Sequence, residues 1–150
     1  MAQGDVTVFA QAKLDIGLEG HQLETDVVKL GLVTSTVTPT ETTSNPAWGA
    51  SGATNLSTNQ VTPGGNYSTG GPTIANNTYT LASATTTFDG DNISILQNAS
   101  NPTNARWGIG WNDTNAIDAA LFFLDLGGAT DLTAGDFSVT WNALGIFTLA

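Results

Sequence analysis

The chain has 150 residues and no cysteine, and its thirteen acidic residues outweigh three basic ones (Lys13, Lys29, Arg106) and one histidine to give a net charge of −10. That charge opposes approach to DNA, RNA or an anionic bilayer, because neutralising phosphates takes clustered Lys and Arg, and no run approaches the ~18 apolar residues of a membrane span. Charged residues make up only 11% of the chain, while Thr, Ser, Asn and Gly abound, so a long-helix protein is also excluded in favour of a β-rich one.

At this length a single domain over residues 1–150 buries a real core without disulfides. Residues 1–5 have neither a basic n-region nor an apolar h-region, so no classical export signal is expected. Asp5 is placed to cap a short helix, with Phe9, Ala12 and Ile16 on one side and Gly17 or Gly20 ending it. Val6-Thr7-Val8-Phe9 also suits a strand. Over residues 26–34, Val28, Leu30 and Leu32 alternate with Val27, Lys29, Gly31 and Val33, which predicts a strand with one strongly apolar face.

Periodicity then stops. Residues 35–72 are dense in Thr, Ser, Asn, Gly and Pro, with Trp48 and Tyr67 among them. A loop this long inside a compact domain is expected to be functional or ordered by a partner. Alternatively, the two aromatics pin the loop to its own core.

Order returns with Ile74, Tyr79 and Leu81. Residues 84–88 and 92–96 flank Asp89-Gly90-Asp91 and form the best hairpin candidate. Over residues 105–111, Trp107, Ile109 and Trp111 face one way, and Arg106, Gly108 and Gly110 the other. The two glycines leave a flat patch open to close approach. Residues 120–126 are apolar on both parities, as in a strand covered on both faces, and Gly127-Gly128 closes them. Phe137, Val139 and Trp141 alternate with Ser138, Thr140 and Asn142, and Gly145-Ile146-Phe147-Thr148-Leu149 ends the chain as a strand inside a sheet. Together these predict a mainly β fold: an antiparallel β-sandwich or jelly-roll-like domain with a short N-terminal helix and a long ordered loop.

Chemistry finds little to work with. His21, the one histidine, lies beside a glycine in a polar stretch and is expected at the surface rather than as a catalytic base. There is no Gly-x-Ser-x-Gly elbow, and the glycine-rich residues 64–71 lack the Lys-Ser/Thr ending of a phosphate loop. Asp89-Gly90-Asp91-Asn92 resembles a fragment of a calcium loop, but Ser100 stands at the twelfth position and the glycine is misplaced, so a turn is the expectation. No catalytic residue, metal ligand or cofactor is expected.

Several stretches occur in a telling order: Leu23-Glu24-Thr25-Asp26-Val27-Val28-Lys29-Leu30-Gly31-Leu32-Val33-Thr34-Ser35, a tryptophan-bearing loop, the Gly-Gly-x-Tyr-x-x-Gly-Gly turn at 64–71, and Thr87-Phe88-Asp89-Gly90-Asp91-Asn92-Ile93. After them come Asn104-Ala105-Arg106-Trp107, Phe123-Leu124-Asp125-Leu126-Gly127-Gly128 and Phe137-Ser138-Val139-Thr140-Trp141-Asn142-Ala143. In this order the chain resembles a family of small structural proteins of tailed bacteriophages, the capsid decoration or cement proteins. The resemblance implies a non-enzymatic virion protein on the capsid exterior, made in the bacterial cytoplasm. Its partners would be the major capsid protein and further copies of itself, as a dimer or trimer, with no nucleic acid and no membrane. Trp48 and Tyr67 would then be aromatic anchors on the shell or a sister subunit. Arg106 would pair with a carboxylate there, or else with Asp113 or Asp125 inside the fold. The alternative is a tail or fibre component that binds a receptor or glycan, with Trp48, Tyr67, Trp107 and Trp111 stacking on sugar rings.

Overall fold

The computed structural model describes residues 3–150; Met1 and Ala2 lie outside the described residues. In chain order the elements are β1 (Val6–Val8), α1 (Ala10–Gly17), β2 (Val28–Val33), β3 (Pro46–Ala47), β4 (Thr54–Asn55), β5 (Thr78–Ala82), β6 (Thr85–Asp89), β7 (Ile93–Ile95), β8 (Ala105–Asn112), β9 (Ala120–Thr130), β10 (Phe137–Val139) and β11 (Phe147–Leu149). A 3-10 turn, Leu56–Asn59, follows β4.

A four-stranded antiparallel sheet, in the order β1-β9-β8-β2, is the centre. One face carries Phe123, Ile109, Trp107 and Trp111, and is covered by Phe9 at the start of α1 and by Trp48 from the long segment. The other carries Phe122, Leu124, Leu30 and Leu32. There Phe122 meets Trp141 at 6.1 Å and Phe147 at 5.9 Å, so the smaller sheets β11-β6-β5 and β10-β7 pack against it. Among the described residues the fold is mainly β and sandwich-like, with one α-helix. Its strands form sheets of four, three, two and two.

The apolar run predicted to be covered on both faces is β9, buried from Ala120 to Asp125. The C-terminal strand is β11, paired with β6. At the N-terminus both readings hold in turn, since Val6–Val8 is a strand and the helix starts at Ala10. Asp5 does not cap it: the N-cap is Phe9, without a side-chain bond, and the Ala10 N–H is satisfied by the Glu41 carbonyl at 2.9 Å.

Three other expectations are corrected. The Asp89-Gly90-Asp91 turn does not join a hairpin. β6 pairs with β5 and β11, while β7 pairs with β10. The Asp91 N–H bonds to the Ala75 carbonyl, and a Cβ at Gly90 would sit 2.6 Å from Ile74, so the turn steps the chain from one sheet to the next. Gly108 and Gly110 do not make an open patch either. A Cβ at Gly110 would lie 2.2 Å from the Phe122 ring and one at Gly108 3.2 Å from Leu30, so the close approach is made by the protein's own core. His21 is buried, at 7% exposure.

Candidate functional site

In this sheet order β2 is an edge strand, and an edge strand presents a row of unpaired N–H and C=O groups. Residues 35–72 cover that row. The Leu30 N–H bonds to the Pro72 carbonyl (2.9 Å), the Thr34 N–H to the Asn59 carbonyl (2.9 Å), and the Val61 N–H to the Leu32 carbonyl (3.0 Å). Between them the Leu32 N–H donates to the Tyr67 hydroxyl oxygen at 2.8 Å. A side-chain oxygen thus occupies the place that a neighbouring strand's carbonyl would take.

The aromatic anchors of the segment point inward. Gly31 has no side chain, and the Trp48 ring fills its place: a Cβ there would lie 2.2 Å from Cη2. Trp48 stacks on Trp111 with ring centroids 5.6 Å apart and planes 11° apart. The Trp111 indole N–H donates to the Gly70 carbonyl at 3.0 Å. Gly70 and Gly71 hold φ near +80°. A Cβ on Gly71 would collide with the Leu30 carbonyl, so glycine is needed there for backbone angle and for close approach alike. Burial pushes the Tyr67 hydroxyl up to about 12, against the opposing pull of the Leu32 N–H.

Trp48 is 5% exposed and Tyr67 2%, so their assignment as contacts with a shell or sister subunit is corrected: both rings are spent inside the protomer. Arg106 is likewise engaged within the fold. It sits at an irregularity in the β8–β9 pairing, between Ala105 and Trp107. Both of its terminal nitrogens reach the Asp125 carboxylate, and its guanidinium lies 3.9 Å from the Trp107 ring centroid. The Arg106 hydrogen bond holds the Asp125 carboxyl below its ordinary value, outweighing burial, and the Gly127 N–H adds to the effect. Of the two internal partners considered for Arg106, Asp125 is the one found; Asp113 pairs with Lys29 at 2.8 Å. Lys13 pairs with Glu41 at 2.6 Å. All three basic side chains are therefore engaged with carboxylates.

One further signal is present in the letters, outside the pattern of strands and turns. Residues 42–88 contain no Asp, Glu, Lys, Arg or His. Most of their exposed residues are Thr, Ser, Asn, Gly and Ala, and they spread over the β2 edge and onto β5. Among the described residues no group of three His, Cys, Asp or Glu side chains is placed to hold a metal. Asp91 accepts from the Asn76 amide at 2.7 Å, and its carbonyl accepts from the Trp141 indole at 2.9 Å. No helix among the described residues is long and apolar enough to cross a membrane.

Comparison with protein-family models, with curated proteins and with solved structures finds no match.

Proposed function

We propose that this chain is a non-enzymatic virion protein that binds the outer surface of a tailed-phage capsid and stabilises the shell. The observation that carries the reading is the layout of charge. The cations are tied up within the fold, and residues 42–88 present a broad, uncharged, hydroxyl- and amide-rich surface. Such a surface can lie against another protein without desolvating charges, which is the costly part of burying polar surface. The ordered resemblance over nearly the whole chain supplies the class, and the major capsid protein is the proposed partner.

The glycan-binding alternative loses its support. Sugar stacking needs exposed aromatic faces, and Trp48, Tyr67, Trp107 and Trp111 are 5%, 2%, 8% and 4% exposed. The test is to heat empty, undecorated phage shells with and without the purified protein. Shells carrying it are expected to rupture at a higher temperature; rupture at the same temperature would count against stabilisation.

A further inference from the structure

The covered edge of β2 sets off another edge that is bare. β5 ends the sheet β11-β6-β5; among the described residues no strand lies along its outer side and no backbone bond from another segment reaches it. The usual protections of an edge strand are a lysine, a proline, a bulge or a covering loop. β5, Thr78-Tyr79-Thr80-Leu81-Ala82, has no charge and no proline, and its register against β6 is unbroken. Its Leu81 is 70% exposed.

We infer that β5 is a self-pairing edge, and that a second copy of this chain docks there antiparallel across a two-fold axis at Thr80. The hairpin geometry fixes which groups are available. Ala82 and Thr85 flank the two-residue turn Ser83-Ala84 and are paired. In a two-residue hairpin that flanking pair exchanges hydrogen bonds, so Thr78, Thr80 and Ala82 spend their N–H and C=O groups on β6. The groups of Tyr79 and Leu81 therefore point outward. An axis at Thr80 sets Tyr79 opposite Leu81 of the second copy, and Leu81 opposite its Tyr79. These are the residues whose outward groups can exchange bonds. It also joins an aromatic to an aliphatic side chain twice, on the face where Leu81 is bare. The product is a continuous six-stranded sheet.

Charge selects the same place. Copies carrying −10 each repel. The stretch free of charge includes all of β5 and runs to Phe88, so pairing along this edge sets no charged side chain of one β5 against the other. The inference needs no shell, so its failure and the failure of the capsid reading are separate results.

The test is sedimentation equilibrium on the full chain, wild type and Leu81→Lys. Wild type is expected at twice 15.4 kDa, and the variant at 15.4 kDa with unchanged far-UV circular dichroism. Because the protein has no cysteine, Thr80→Cys adds a clean probe. Opposite residues of a non-hydrogen-bonded antiparallel pair have Cα atoms about 4.5 Å apart, within disulfide reach. Mild oxidation should link T80C into a covalent dimer and leave Leu144→Cys, at another exposed site off the edge, unlinked. Wild type that stays monomeric at its highest soluble concentration overturns the inference. So does a trimer, or a dimer in which T80C does not link.

Discussion

Replacing Tyr67 by Phe removes one oxygen and leaves the Leu32 N–H buried without an acceptor. An orphaned buried donor costs about 1–3 kcal/mol, so Y67F should lower the unfolding free energy by that much, read as a lower urea midpoint with its slope unchanged. The same hydroxyl makes the protein sensitive to base. Its folded value of about 12 lies above its ordinary 10, so the unfolded chain ionises first, and stability falls as pH rises above 10. Y67F should flatten that alkaline decline. Ser83 offers the opposite sign. It holds φ +56° in the β5–β6 turn, where a side chain is strained and glycine is not. S83G should therefore stabilise by about 1 kcal/mol in the same assay. His21 governs the mildly acidic range. The Asn112 amide donates to its Nδ1 at 3.0 Å, and its Nε2 is buried without a protein partner. Burial lowers its value below 6.5 despite Asp15 and Asp26 nearby. Its neutral form therefore supports the fold fully above pH 6.5, and stability drops as pH falls below that, because the unfolded chain takes up the proton first. Urea titrations of H21N at neutral and mildly acidic pH should differ less than those of wild type.

At the scale of elements, the long segment and the C-terminal strand are both structural. Deleting residues 35–72 would bare the outward groups of β2 and the Trp111 ring, so the truncated chain is expected to aggregate rather than fold. Deleting residues 146–149 should do the same. It removes β11 from β6 and takes Phe147 from its contacts with Phe88 at 5.2 Å and Phe122. A soluble, cooperatively melting truncation in either case would contradict this assignment. Strands whose pattern is local were legible in the sequence: β2 from its alternation, β9 from its two-sided apolarity, β10 from Phe137 and Val139. What was hidden is non-local. Leu32 and Tyr67 are 35 residues apart, and nothing in the period of either stretch says that a hydroxyl completes a sheet edge. The hairpin was misplaced for a local reason. Asp89-Gly90-Asp91 is a stronger turn signal than Ser83-Ala84, yet the weaker pair makes the hairpin and the stronger one carries the chain between sheets.

Over the whole molecule, the contact residues first singled out prove to be the ones that hold the protomer together. Trp48, Tyr67 and Arg106 stood out because rare aromatics and rare cations stand out in a chain of Thr, Ser and Asn. The same rarity suits them to be its internal fastenings. The surface left for partners is the common residue types, above all residues 42–88, and the bare β5 edge. Substituting the outward side chains of this region should therefore affect assembly more than folding. Thr62→Glu and Thr69→Glu place charge on exposed positions of the segment. Together they are expected to weaken shell binding while leaving the melting temperature of the free protein unchanged; a matching fall in both would make those positions structural.

The most direct measurement is co-sedimentation of the wild-type protein with empty, undecorated phage capsids, counting bound copies per shell. Saturable binding is expected, at a copy number set by the local symmetry of the shell. Folded protein that stays in the supernatant with intact shells would contradict it.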